Sequence, residues 1–248
     1  MVNAEQKLKN DIEAACPGIP VRAFAVVDST AAEALRALSF GESGPLIVAA
    51  LEQTGNPGAA GNVHPGVMAH FSLPLGPECA TLHPITITTM AAAACAMAIE
   101  RLTPQRPAIG WPGDILLQGI PVARIMVDTP MVQGQSIAVA SIAVNICKSD
   151  AQDGLLDDSG SLNAPYLSPG RLAGEIAREF MGFVRQSGNR DYMEFYRDRS
   201  TALEQEICYT IDGEARSGRV MGVDDDGALI VLSKNGTPDR LDHAVRLD

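Results

Sequence analysis

The sequence predicts an α+β protein carrying a small all-β module at its C-terminal end, on three observations. Apolar runs of strand length recur through the first 150 residues, with only a few helical stretches between them. An acidic, Ser- and Gly-bearing connection at 148–165 then leads into two helical stretches. From residue 207 onward, short alternating segments are punctuated by Asp212-Gly213, Asp226-Gly227 and Asn235-Gly236, dipeptides whose glycine accepts the positive φ of tight hairpin turns. The chain divides into a main domain at 1–204 and a small all-β domain at 205–248. A meander of that length has little core of its own and is expected to pack on the main domain.

Taken in order, the first 20 residues read as a short polar start with no apolar signal core. Residues 21–27 (VRAFAVV) form a buried strand, stopped by Asp28-Ser29-Thr30. A helix begins at once, with Thr30 and Glu33 at capping-box spacing. A second strand at 46–51 runs into 53–62, which holds three Gly, one Pro and no apolar residue larger than Ala, the composition of a mobile loop. A third strand at 67–75 precedes the Ala-rich run 85–99, a packed internal helix shorter than the roughly 20 residues a bilayer span requires. Strands follow at 109–117, 122–127 and 136–147, the first two joined by a turn at Gln118-Gly119. An amphipathic helix at 171–185 and a helical stretch at 191–202 complete the main domain.

With 46% hydrophobic residues the 248-residue chain supports one substantial core plus the small module. Its net charge is −11, and 15 of its 19 basic residues are Arg; lysine occurs only at 7, 9, 148 and 234. Nucleic-acid binding needs a cationic stripe that displaces counterions, and anionic membranes need a comparable patch, so both are excluded as expected partners. The five cysteines contain no CxxC pair and no ligand spacing with the four histidines, which predicts no metal site and reduced thiols in a cytoplasmic protein.

Five anchors, in this order, resemble the biotin protein ligase family of the biotin/lipoate ligase superfamily. Val27-Asp28-Ser29-Thr30 resembles its Asp-Ser-Thr motif; Gln53-Thr54 with Gly58 and Gly61 resembles its Gln-Thr-Ala-Gly-Arg-Gly-Arg-Arg-Gly-Arg loop. Trp111-Pro112-Gly113-Asp114 resembles Trp-Pro-Asn-Asp, the run 139–145 (VASIAVN) resembles the Ile-Gly-Ile-Gly-Ile-Asn strand, and the tail resembles the SH3-like C-terminal domain. The resemblance covers nearly the whole chain. It implies a mixed-sheet catalytic-domain fold with an SH3-like β-barrel module, and ATP-dependent attachment of biotin or a related acyl cofactor to a carrier-protein lysine. It further implies biotin or a related carboxylic acid and ATP as ligands, and a biotinyl or lipoyl carrier protein as partner. The helix-turn-helix of the family's repressor members has no room before the strand at residue 21.

The residues that resemble the family's ligand contacts are Ser29, Thr30, Gln53, Gly58, Gly61, Trp111, Asp114 and Asn145. Each has a plainer reading beside it: Ser29 and Thr30 as helix caps, Gln53 as a loop hydrogen bond, Trp111 as core packing, Asp114 as a turn cap. The departures concern charge. The four loop arginines fall on Pro57, Ala59, Ala60 and Asn62, the closing Trp on His64, and the family's two lysines on Gly110 and Pro121, with its Asn on Gly113. No Lys or Arg stands between Arg36 and Arg101, so no shift of register restores those cations.

Adenylation concentrates negative charge on the α-phosphate, and losing one well-placed donor typically costs about 10²–10³ in rate. The sequence therefore predicts a diverged small-molecule or carrier-binding module with weak or no ligase activity. Two alternatives stay open. One is a working ligase or ATP-independent acyltransferase with a rebuilt site, drawing on Arg124 or on a Cys147 nucleophile. The other is a purely structural or interaction role. By strand parity Arg124 faces away from Pro121 unless a bulge intervenes, and Cys147 also reads as an inert buried thiol.

Overall fold

The computed structural model describes residues 3–42, 44–55, 66–76, 79, 81–148, 160–211 and 213–242. In the main domain the strands in chain order are β1 (Val21–Val27), β2 (Ile47–Gln53), β3 (Gly66–Pro74), β4 (Ala108–Gly110), β5 (Asp114–Leu117) and β6 (Ile120–Asp128). A two-stranded hairpin, β7 (Met131–Val132) and β8 (Gln135–Ser136), precedes β9 (Val139–Lys148). Seven of these make one mixed sheet in the order β1-β2-β3-β9-β6-β5-β4, parallel between β1 and β2 and antiparallel elsewhere.

Alternation along the strands separates two cores. On one face Ala49, Ala69, Phe71, Leu73, Ile142 and Ile125 pack with α1 (Ala4–Ala15), α3 (Pro84–Leu102) and α4 (Pro169–Arg185). On the other, Val48 packs with Ala34 and Ala37 of α2 (Thr30–Ser39). Helix α2 lies over β2 and β3 and reaches β9. On the α2 side of the sheet Arg124 and Met126 of β6 are exposed, so the face beside α2 is open among the described residues and forms the groove side of the sheet. Below it, α1 and α4 cross closely: a Cβ on Gly174 would stand 2.8 Å from the Ile12 carbonyl oxygen and 2.7 Å from the Ala15 Cβ, so only glycine permits the approach.

Three sequence expectations change. The polar start contains α1, capped by Asn3, whose side chain accepts from the Gln6 amide at 2.7 Å; Leu8 and Ile12, four apart, bury its one apolar stripe. The strand expected at 109–117 is broken by Trp111–Gly113 into β4 and β5, with a cis Trp111–Pro112 bond. Helix α3 has 19 residues and is long and apolar enough by itself to cross a membrane, but 78% of its apolar window is buried within the fold. The expected loop at 53–62 lies outside the described residues from 56 onward.

The tail forms the small β-module, an antiparallel meander of β10 (Glu206–Ile211), β11 (Glu214–Val223), β12 (Leu229–Ser233) and β13 (Pro238–Leu241). Its β11–β12 turn docks on the main domain. The Thr86 hydroxyl donates to the Asp226 carbonyl at 2.7 Å, and the Arg197 Nε, from α5 (Tyr192–Arg199), donates to the Val223 carbonyl at 2.8 Å. Gly227, at φ +94°, has Thr89 Cγ2 2.8 Å from where a Cβ would stand.

Candidate functional site

The groove is organised around the start of α2. Ser29 is the helix N-cap, its hydroxyl accepting from the Ala32 amide at 3.4 Å. The expected Thr30–Glu33 capping box does not form. The cap lies one residue earlier, Glu33 pairs with Arg36 at 2.7 Å, and Thr30 is buried and turned toward the sheet.

There the Gln53 Oε1 accepts both the Thr30 amide at 2.6 Å and the Thr30 hydroxyl at 3.0 Å. A hydroxyl has one proton. Since Thr30 gives its proton to Gln53, the Ser72 hydroxyl donates to Thr30 across 2.8 Å, and Ser141 donates to Ser72 across 3.0 Å. The Gln53 amide nitrogen, its oxygen fixed by the two donors, faces His70 Nδ1 at 3.1 Å. With the amide nitrogen as donor, His70 accepts at Nδ1. Among the residues named here, sequence reasoning did not single out His70, Ser72 and Ser141. The available signal was polar residues of one parity, at 70 and 72 and again at 141, inside otherwise apolar strands.

Directly opposed residues of antiparallel strands share a face. His70 opposes Ala143, Ala143 opposes Arg124, and Arg124 opposes Asp114, so these four form one row across β3, β9, β6 and β5 on the groove side. Next to it, Ser72, Ser141 and Met126 form a second row. Arg124 is half exposed, and its Nε lies 3.4 Å from Asp114 Oδ1.

Strand β6 carries a bulge. Ile115 opposes Ala123 while Leu116 opposes Pro121, which leaves Val122 as the extra residue; Val122 and Ala123 are both buried. The bulge resets the parity, so Pro121 and Arg124 lie on the same groove face although three residues apart. This is the exception to strand parity that the sequence left open.

Other expected site residues are committed elsewhere. Trp111 is 5% exposed and its indole N–H donates to the Gly227 carbonyl at 2.8 Å, tying the small module to the main domain. The Asn145 amide donates to the Gly160 carbonyl at 2.9 Å, at the end of β9. Cys147 opposes Val67 and packs against the main core cluster. Burial pushes the Cys95 thiol up to about 12, which leaves it inert. Gly58, Gly61 and His64 lie outside the described residues. A cavity of about 310 Å³ between α1 and the start of α4, lined in part by Lys7, Leu8, Val67 and Tyr166, includes none of the Thr30 network.

Comparison with known proteins decides the family. The sequence is 31% identical over 233 residues to a biotin–[acetyl-CoA-carboxylase] ligase of Paracoccus denitrificans, an alignment that covers 86% of this chain and 94% of that protein. The chain belongs to the biotin protein ligase family. No protein-family model matches the sequence. The fold is that of the Aquifex aeolicus biotin protein ligase in complex with biotin and ATP, with a TM-score of 0.73 at 16% identity over 92% of this chain and 99% of that one. A biotin protein ligase-like protein of unknown function from a Silicibacter species matches with a TM-score of 0.68 at 15% identity, over 91% of this chain and 95% of that one.

Within the biotin protein ligase fold, one expected departure from the family motifs has a packing reason. A Cβ on Gly113, the family's Asn position, would stand 2.8 Å from Thr88 Cγ2 and 3.3 Å from Ile125 Cβ, so this site has no room for the side chain. Gly110 is different. A Cβ there meets Asp114 Cβ and Leu116 Cδ1 at 3.4 Å, the edge of ordinary contact, so packing at Cβ does not by itself require glycine.

Proposed function

We propose that this biotin protein ligase family member holds a small carboxylic acid in the groove between the Thr30–Gln53–His70 network and Arg124. On this reading its acyl-adenylation is weak or absent, and it acts as a binding module for that acid or for a carrier protein that bears it. One observation carries the reading: across the groove face of β3, β9, β6 and β5, Arg124 is the one Lys or Arg among the described side chains, and it is already paired with Asp114. The sequence offers no further cation between Arg36 and Arg101, the span that contains the family's arginine-rich loop.

An adenylating enzyme must meet charge that develops on phosphate with several preorganised donors. A single ion-paired guanidinium serves a different task, holding a stable anion. The test is a thermal-shift panel of biotin, lipoate and octanoate, with ATP alone and combined, followed by acid-dependent pyrophosphate exchange. A ligand that binds only the folded protein raises its apparent stability by mass action. The reading expects a shift with at least one acid and exchange at background. A panel with no shift for any acid overturns it, as does exchange at ordinary enzyme rates.

A second reading, a working ligase with a rebuilt site, is favoured by one feature, the bulge that brings Arg124 onto the face of Pro121. The same exchange measurement separates the two.

A further inference from the structure

The geometry points to a second ligand site, on the face of the sheet opposite the groove. There the cavity between α1 and the start of α4 takes a straight-chain aliphatic carboxylate, with its head at Lys7 and its chain over Leu51 and Val67. This inference does not rest on the groove or on the ligand proposed for it.

Three observations converge. The first is the floor. On β2 and β3, Ala49 and Ala69 are buried under the helices, and two residues nearer the strand ends Leu51 and Val67 line the cavity. Val67 is 45% exposed, so the layer that covers Ala49 and Ala69 is incomplete here. Leu8 and Leu167 add buried apolar surface, and Tyr166, itself 68% exposed, lines the same cavity. A chain laid on this floor removes apolar surface of both partners from water.

The second is charge. Lys7 and Asp11 are four residues apart on α1 and both line the cavity, yet they make no ion pair with each other. Asp11 is committed elsewhere: its carboxylate accepts the hydroxyl of Ser168, the N-cap of α4. Lys9, on the same helix, pairs with Glu13 at 3.7 Å. Lys7 is the one basic residue lining the cavity, and among the described residues it has no ion pair. A lysine lays its stem along apolar surface and keeps its ammonium in water. An unpaired ammonium beside an apolar floor selects an amphipathic anion over a neutral chain or an amine.

The third is size. The cavity holds about 310 Å³, near the lower limit of the roughly 300–1,000 Å³ of small-molecule pockets. That volume suits one short unbranched chain rather than a nucleotide.

Lysine occurs only at 7, 9, 148 and 234, so limited acetylation of the full chain, read by peptide mass spectrometry, reports Lys7 against Lys9 and Lys234 as internal references. The probes are butyrate, hexanoate and octanoate, with octanol and octylamine as controls. Octanoate is expected to slow acetylation of Lys7 about 10-fold at ten times its Kd, by mass action, and to leave Lys9 and Lys234 unchanged. The Kd read from this protection should tighten about 4-fold for each methylene buried along the series. Octanoate should bind about 10-fold more tightly than octanol, and octylamine should give no protection. Val67→Asp, which puts a charge on the floor, should abolish the protection. Ala4→Glu, at the exposed first position of α1, should do the same by giving Lys7 a carboxylate of its own, with a helix terminus that favours the acid. Circular dichroism and melting of each variant without ligand check that it folds, and Ala4→Glu carries the test if Val67→Asp does not. Arg124→Ala should leave the protection of Lys7 intact.

Lys7 that stays as reactive as Lys9 in millimolar octanoate overturns the inference. So does equal protection by octylamine, or protection that survives in both folded variants. Loss of protection in Arg124→Ala overturns it as well, by assigning the effect to the groove. A thermal-shift panel that fails for the groove acids while octanoate still protects Lys7 removes the proposed function and leaves this site standing.

Discussion

Thr30 and Ser29 are adjacent, both hydroxylic and both at the start of α2, yet they work on different problems. Ser29 satisfies an orphan amide of the helix, and Thr30 connects the helix to Gln53 and, through Ser72 and Ser141, to the floor of the groove. Ser29→Ala is expected to cost about 1 kcal/mol of stability in urea unfolding, the ordinary loss of an N-cap, and to leave acid binding unchanged. Thr30→Val removes the donor to Gln53 and strands the Ser72 proton in a buried site, which costs about 1–3 kcal/mol and weakens acid binding in the thermal-shift panel. Equal effects of the two variants on binding would contradict the division of labour. The sequence showed that hydroxyls stood here but not which one caps, because the choice depends on what β2 and β3 present to the helix start.

Among the elements, β4, β5 and β6 show what a local reading recovers and what it does not. The turn at Gln118-Gly119, with φ values of 53° and 82°, was legible because both positions need the left-handed region that this dipeptide tolerates. The bulge at Val122 was not. It is set by how Ile115 and Leu116 register against β6, a pairing between strands that periodicity along one strand does not contain. The same holds for the break at Trp111–Gly113, whose apolar flanks read as continuous strand until Trp111 is seen bonding to Gly227 of the small module.

Packing at Gly113 gives a direct test of the divergence at this element. Gly113→Asn, which restores the family's residue, should collide with Thr88 and Ile125 and lower stability by about 1–3 kcal/mol. Thr88→Ser removes the colliding Cγ2 and should recover part of the loss; a neutral Gly113→Asn measured by urea unfolding would show that the family's side chain still fits.

For the whole molecule, two properties follow from how charge is distributed. In the small module the Tyr209 hydroxyl donates to Asp239 at 2.7 Å, with Arg216 alongside at 3.1 Å, and these hold the Asp239 carboxyl below its ordinary value. A carboxyl whose value is lower folded than unfolded stabilises the fold at pH above about 4 and loses that contribution as pH falls through the lowered value. Acid unfolding of wild type is therefore expected to steepen below about pH 4, and Asp239→Asn to flatten that limb; superimposable pH profiles would contradict it.

The second property is the scarcity of cations. It was legible from composition as a statement about partners, and the motifs turned it into a statement about chemistry. The structure adds that one cation, Arg124, stands on the groove face of the sheet, and that the bulge at Val122 puts Pro121 on the same face. The central claim is that a fold shared with biotin protein ligases here binds an acid without activating it. Acid-dependent exchange of pyrophosphate into ATP measures this most directly. The account predicts exchange indistinguishable from a no-acid control for biotin, lipoate and octanoate, under conditions where at least one of them shifts the melting temperature. Exchange at rates of about 1 s⁻¹ or more, in the ordinary range for enzymes, would contradict it.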